Sequence, residues 1–419
     1  VGWQGRAEAS LVLGSGSTID LGTLATPATL NIGWNESVGY AAPNFNVNTS
    51  SATGTLDATL GTLTAELSEL NVGRTAGRGT ASGSLIIGNG LVLQADTVNV
   101  GMGPGASGTV TFVDGFSGSF DGQTVKLASG LFDFADNTLR IGASGGIAVQ
   151  TFSLEGGLLS GATIDLDTAA NLAFTGGALD VATFNGTLVE NGGTLAPGGT
   201  GAGQTTINGD WLLSASGTLQ ITLAGTSPAT GYDQIIVNGA VDLASGSGAG
   251  TLDLVLEFAP QLNDRFVIVA NDGSDATAGT FLGLTGGSTI EEVFAGSTYT
   301  FAIDYGGDDG NDIVLTVSAV AASIGNLSLA MAAADGDGAS AAGNSLMAAG
   351  ETTAALLDSG WVEADSRSAA GPADLPAEEG CATILPAEAR AAATDDLAAG
   401  PPTIIDVSPT LSQLDLMLF

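Results

Sequence analysis

Carboxylates are the chemistry this sequence offers: 44 acidic residues stand against 8 basic ones. Neighbouring acids occur at Asp308/Asp309, Glu291/Glu292, Asp133/Asp136 and Glu378/Glu379. Glycoside hydrolysis uses two such groups facing a sugar from opposite sides. Among so many acids, however, neighbours arise by chance, and adjacent residues of a strand point to opposite faces. Gly306-Gly-Asp-Asp-Gly-Asn-Asp312 gathers carboxylate and carbonyl oxygens of the kind calcium takes. It occurs once, and an acidic hairpin tip is its simpler reading, so no catalytic, cofactor or metal residue is assigned.

Other chemistries lack their groups. With no histidine, Ser-His and Cys-His nucleophiles are excluded, and Lys126, the only lysine, would have to serve any Ser-Lys pair. Cys381 is alone, so no intrachain disulfide forms, and zinc or copper would lack nitrogen and sulfur ligands. A lyase for acidic sugars needs basic residues, and Arg74 and Arg78 are the closest pair. The loops Gly101-Met-Gly-Pro-Gly-Ala-Ser-Gly108 and Gly199-Thr-Gly-Ala-Gly203 have the glycines of a phosphate cradle but no helix after them, which makes them chain corners. Trp3, Trp34, Trp211 and Trp361 are too scattered for a sugar-stacking strip. A net charge of −36 repels nucleic acid and anionic lipid. No apolar run approaches the roughly 18 to 20 residues that span a bilayer, so the chain is not expected to span a membrane. It opens Val1-Gly-Trp-Gln without an initiator methionine, as a processed chain or fragment would.

The elements that would position these groups are strands. Glycine, 64 of 419 residues, is about twice as frequent as usual without a collagen period. Apolar residues fall at every second position in Gly217–Leu223, Asp233–Val237, Thr251–Phe258 and Arg265–Ala270, the period of a half-buried strand. From 1 to about 190 a phrase returns, apolar-x-apolar-Gly: Leu30-Asn-Ile-Gly33, Leu70-Asn-Val-Gly73, Leu85-Ile-Ile-Gly88, Val98-Asn-Val-Gly101 and Leu139-Arg-Ile-Gly142. One copy is too small for a core, whereas stacked copies bury a continuous apolar column. The expected interior comprises Leu11, Leu13, Ile19, Leu21, Leu30, Ile32, Leu70, Val72, Leu85, Ile87, Leu91, Leu93, Val98, Val100, Val110, Phe112, Leu139 and Ile141. Turns are expected at Asn89-Gly90, Asp114-Gly115, Asp121-Gly122, Asn185-Gly186, Asn191-Gly192, Asn208-Gly209, Asn238-Gly239 and Asp272-Gly273. The rival architecture is a β-sandwich with Asn-Gly hairpins.

Residues 191–317 resemble the passenger repeat of bacterial autotransporters and related cell-surface β-helix proteins, without the membrane barrel. The phrases that carry the resemblance are Gly192-Gly-Thr-Leu-Ala-Pro-Gly198, Thr206-Ile-Asn-Gly-Asp210, Gly231-Tyr-Asp-Gln-Ile-Ile-Val-Asn-Gly239, Gly250-Thr-Leu-Asp-Leu254, Asp264-Arg-Phe-Val-Ile-Val269, Gly279-Thr-Phe281 and Tyr305-Gly-Gly-Asp-Asp-Gly-Asn-Asp-Ile-Val-Leu-Thr316. The resemblance implies a parallel β-helix displayed outside the cell, often for adhesion. The nonapeptide of repeat-in-toxin proteins is similar to Gly306–Asp312, implying a calcium-ordered secreted passenger as one alternative. Ser408-Pro-Thr-Leu-Ser-Gln413 is similar to a short sorting signal of Gram-negative bacteria.

These readings predict an all-β chain in three parts. Irregular Gly-rich solenoid repeats (1–190) lead into a passenger-like end module (191–317), together a right-handed parallel β-helix. A disordered, acidic Ala/Gly/Asp-rich tail (318–419) follows, with one marginal helix near Glu351–Leu357. The expected function is adhesion or structural assembly at the outer surface of a bacterium or outside it, with itself or a cell-surface glycan or protein as partner; a carbohydrate-binding or glycan-cleaving β-helix is the other alternative.

Overall fold

The computed structural model of the chain describes residues 6–36, 50–77, 79–246, 248–272, 275–308, 310–322 and 416–418. Among them there is no helix; the chain is all-β, with most of its strands paired in parallel. Of the expected disordered tail (318–419), residues 318–322 are strand instead; the rest, with its helix, Cys381, Glu378/Glu379 and the 408–413 phrase, lies outside the described residues apart from the strand at 416–418, as do Trp3 and Arg78.

The chain is laid down in layers. β1 (Arg6–Val12), β2 (Thr18–Leu21) and β3 (Ala28–Asn35) form the first. The second is β4 (Ser51–Ala58) with the two halves of β5 (Thr62–Thr75): β4 lies parallel on β1, and β5 on β2 and then β3. β6 (Thr80–Ile87) with β7 (Leu91–Met102), and β8 (Ala106–Phe112) with β9 (Ser119–Leu127), repeat the arrangement. β10 (Gly130–Asp133), β11 (Thr138–Ile141), β12 (Ile147–Leu166), β13 (Leu172–Asn185) and β14 (Leu188–Leu195) carry the ladder on. So do β15 (Gln204–Asn208), β16 (Trp211–Ser214), β17 (Gly217–Leu223), β18 (Gln234–Val237), β19 (Val241–Ser245), β20 (Thr251–Leu256) and β21 (Arg265–Asn271). One column alone, β1-β4-β6-β8-β10-β12-β13-β14-β17-β20, stacks ten strands in parallel.

Successive layers are irregular in length, from 16 residues (Ala178 to Thr194) to 45 (Arg6 to Ser51). The excess is accommodated at corners, so in-register stacking does not need a fixed sequence period. Three phrase copies are equivalent: Asn31, Asn71 and Asn99 lie register to register. Leu85–Gly88 belongs to another column, and Leu139–Ile141 is antiparallel to β12. Fifteen of the eighteen expected interior residues are buried; Leu11, Ile19 and Leu21, on β1 and β2 of the first layer, are half-buried.

Corners depend on glycine where carbonyls from further along the stack approach. Gly33, Gly73 and Gly101 share φ values of 67°, 68° and 67°, and a Cβ there would sit 2.0, 1.9 and 1.8 Å from the carbonyl oxygens of Ser82, Ser107 and Ser129. Asn-Gly pairs do not make hairpins. Asn185 donates to Asp165 (2.6 Å), Asn208 to Asn185 (2.7 Å) and Asn238 to Asn208 (2.7 Å), a side-chain ladder over four layers. A Cβ on Gly209 would lie 2.2 Å from the Gly186 carbonyl oxygen, so each following glycine admits the next layer. Asp121-Gly122 and Asn191-Gly192 are not turns: the first lies within β9 in register with β7, and the second lies within β14 at an irregularity where the pairing with β13 skips Asn191. Asp272-Gly273 falls partly outside the described residues.

Parallel stacking stops before residue 317. β22 (Thr289–Phe294), β23 (Ser297–Gly307) and β24 (Asp312–Ala322) are antiparallel, and β24 also runs antiparallel to β21. The cause is the two-residue turn Ala295-Gly296, with φ values of 49° and 80°, which sends the chain straight back. β25 (Leu416–Leu418) pairs in parallel with β3.

Gly73→Ala is expected to lower unfolding stability by about 3 kcal/mol or more, since it adds a backbone clash to left-handed strain. Gly16→Ala has φ +80° but open space around the new Cβ; it should cost about 1 kcal/mol. Denaturant melts of the two variants beside the parent check the difference.

Candidate functional site

The carboxylates that the structure sets apart are Glu190, Asp233 and Asp180, none of which belongs to a neighbouring pair in sequence. Glu190 lies in the register column between Phe174 and Leu213, both fully buried, and its own side chain is 0% exposed. Trp211 Nε1 donates to Oε2 (3.3 Å) and the Thr218 amide to Oε1 (3.1 Å). Burial outweighs these donors and pushes the Glu190 carboxyl up to about 8. Strand alternation already put Glu190 on the face of Leu188, a signal that pairing acids with acids overlooks.

Asp233 is buried, its Oδ1 accepting from the Gly203 amide (2.7 Å) and its Oδ2 from the Thr222 amide (2.7 Å). Burial raises it to about 6 against those hydrogen bonds, with repulsion from Asp180 adding a smaller push. Asp180 accepts from the Gly198 amide (3.0 Å) and is itself raised, chiefly by burial and then by Asp133. The loop Gly199–Gly203, read as a corner, therefore has its Gly203 amide held by Asp233, and the Gly198 amide just before it is held by Asp180. Asp133, Ser160 and Asp180 stack in consecutive layers.

The neighbouring acids are separated by their turns. Asp133 accepts from the Ala135 amide (2.9 Å), while Asp136 accepts from the Gly115 amide across a layer (2.6 Å). Glu291 and Glu292 alternate exposed and half-buried on β22, and Glu292 is raised by burial and then by Asp253. Asp309 lies outside the described residues; Gly306–Asp312 forms the β23–β24 hairpin tip, with Gly307 paired to Asp312. Asp312 Oδ1 turns inward to accept from the Asn271 amide (2.9 Å). Among the described residues no group of three or more His, Cys, Asp or Glu side chains is placed to hold a metal ion.

Two of the described cations, Arg74 and Arg140, are engaged by neighbours. Arg74 pairs with Glu69, donates to Asn71 Oδ1 (3.0 Å) and lies 4.9 Å over the Trp34 ring. Asn71 in turn donates to Asn31 (2.8 Å), and Asn99 to Asn71 (3.0 Å). Lys126 is in register with Asn99 and Ser153, but Ser153 Oγ donates to Glu155 (2.9 Å). An open depression lined by Phe116, Asp136, Asn137, Thr138, Arg140, Gly146 and Ile147 holds one carboxylate and one guanidinium, which donates to the Gly145 carbonyl (3.1 Å).

No protein-family model matches the chain, and no curated protein matches it significantly. No helix among the described residues is long and apolar enough to cross a membrane.

Glu190 and Asp233 give stability a pH dependence. Each folded pKa lies above its unfolded value, so the native state binds more protons and stability falls as pH rises, between about 4.5 and 8 for Glu190 and about 3.8 and 6 for Asp233. Within its window each group contributes a slope of about −1.4 kcal/mol per pH unit. Glu190→Gln is expected to flatten the curve between pH 6.5 and 8 while leaving the Asp233 segment; urea melts at half-unit pH steps read both.

Proposed function

We propose that the chain is a right-handed parallel β-helix acting as a non-catalytic structural or adhesive protein, displayed outside the cell or on a bacterial outer surface. The observation that carries this reading is where the polar side chains go. The asparagine ladders, Asp180 on Gly198, Asp233 on Gly203 and Thr222, and Asp136 on Gly115 hold one layer or corner to another. Such an arrangement spends its chemistry on rigidity along the stack, as a displayed rod requires.

The exterior supports the same reading. A net charge of −36 keeps an elongated particle dispersed and points away from nucleic acid and anionic membranes, toward protein or neutral-glycan contacts. The passenger-like phrases of 191–317 add support: Gly192–Gly198 falls in β14 and the corner after it, and Thr206–Asp210, beginning in β15, and Gly231–Gly239, containing β18, fall on strands stacked in parallel.

Electron microscopy of the purified chain is expected to show rods, single or associated, and compact globules would be incompatible with this function. In parallel, a glycan array with a hydrolysis screen should give no turnover. Cleavage of any glycan, abolished by Asp180→Asn or Asp233→Asn, would replace the structural role with an enzymatic one.

A further inference from the structure

The three strands of the first layer differ in a way their sequences do not explain. On β1 and β2 residues alternate between exposed and half-buried, and Val12 (61%) and the nearby Leu24 (79%) are open to solvent. On β3, by contrast, Leu30 and Ile32 are 0% exposed. β3 is paired along both edges: β5 covers one and β25 the other, in parallel, with Leu416 opposite Leu30, Met417 opposite Asn31 and Leu418 opposite Ile32. This is the register the layers use among themselves, Leu30-Asn31-Ile32 upon Leu70-Asn71-Val72 upon Val98-Asn99-Val100. β25 thus adds one more strand to the column, before the chain's own first layer.

β25 is separated from β24 by residues 323–415, 93 residues (415−323+1). Fully extended, that length reaches about 300 Å. Ten stacked strands at about 4.8 Å spacing put the first and last layers about 43 Å apart. The connection is therefore long enough to reach its own β3, and equally long enough to reach the β3 of a neighbouring copy.

We propose that the outer edge of β3 is a strand-acceptor site, that Leu416–Leu418 is its donor, and that exchange of this strand between copies joins the chains head to tail. The proposal rests on the structural reading above and names a second copy of the chain as partner. Backbone hydrogen bonds supply the attraction and the apolar-x-apolar register sets the alignment. Donor and acceptor are different surfaces, so the contact is heterologous and propagates unless a ring closes. β1 and β2, whose outer edges carry no strand among the described residues, leave room beside the acceptor for the neighbour's chain.

The test uses the full chain with Cys381→Ser, carrying Asn31→Cys and Met417→Cys. Parallel register partners lie at a Cα separation a disulfide accepts. Oxidation should give interchain ladders on non-reducing gels at about 100 μM, and the interchain share should fall about tenfold near 1 μM, as the intrachain bond takes over. Disulfides that stay intrachain at every concentration overturn the exchange. No disulfide, in a chain melting like its Cys381→Ser parent, overturns the pairing itself. If the Asn31 change prevents folding, Met417→Pro in the unaltered chain decides, because it removes a ladder N–H outside the layers: loss of the large species seen by light scattering supports exchange, and unchanged sizes overturn it. Glycan turnover would sink the structural role without altering any of these readouts.

Discussion

Everything in this protein depends on the backbone ladder between layers. Each strand of the parallel stack finds its hydrogen-bond partners in the layers above and below, so no layer is satisfied alone. From Arg6 to Asn271 that ladder is overwhelmingly parallel. Parallel register puts like residue upon like residue: leucine and valine on the inner side, asparagine where the chain bends. The apolar columns and the asparagine ladders are two consequences of one constraint. Asn31, Asn71 and Asn99 repeat within one strand column what Asn185, Asn208 and Asn238 repeat at a corner.

That constraint also explains how length irregularity is tolerated. A layer of 16 residues and one of 45 coexist because only the paired segments must match, while corners absorb the difference. The cost falls on the corners, where the carbonyl of Ser82, Ser107 or Ser129 lies within about 2 Å of any Cβ at Gly33, Gly73 or Gly101. Glycine abundance in this chain is in large part the signature of that close approach.

Placing a carboxyl inside such a stack has electrostatic consequences. Glu190 occupies a column position between Phe174 and Leu213 and keeps its proton to about pH 8. Asp233 and Asp180 are held by the amides of Gly203, Thr222 and Gly198, yet burial still raises both. Strongly shifted acids are frequent in active sites. Here the shifts come with hydrogen bonds that tie a corner to a neighbouring layer, which favours an architectural role.

The sequence by itself determined the strand class, the inner residues and the acidic surface, because alternation and composition are local quantities that survive without coordinates. Leu30, Leu70 and Val98 were readable as interior from their spacing alone, and so was the inward face that Glu190 shares with Leu188. Three things were decided only by tertiary structure. Asn-Gly pairs stack at corners instead of closing hairpins, since an adjacent layer, absent from any local window, supplies their partners. Phrase copies such as Leu85–Gly88 and Leu139–Gly142 fall in non-equivalent places, because register is set by pairing across layers and not by the motif. Finally, Leu416–Leu418 lies beside Leu30–Ile32, a contact between residues nearly 400 positions apart (416−30 = 386) that no local pattern encodes.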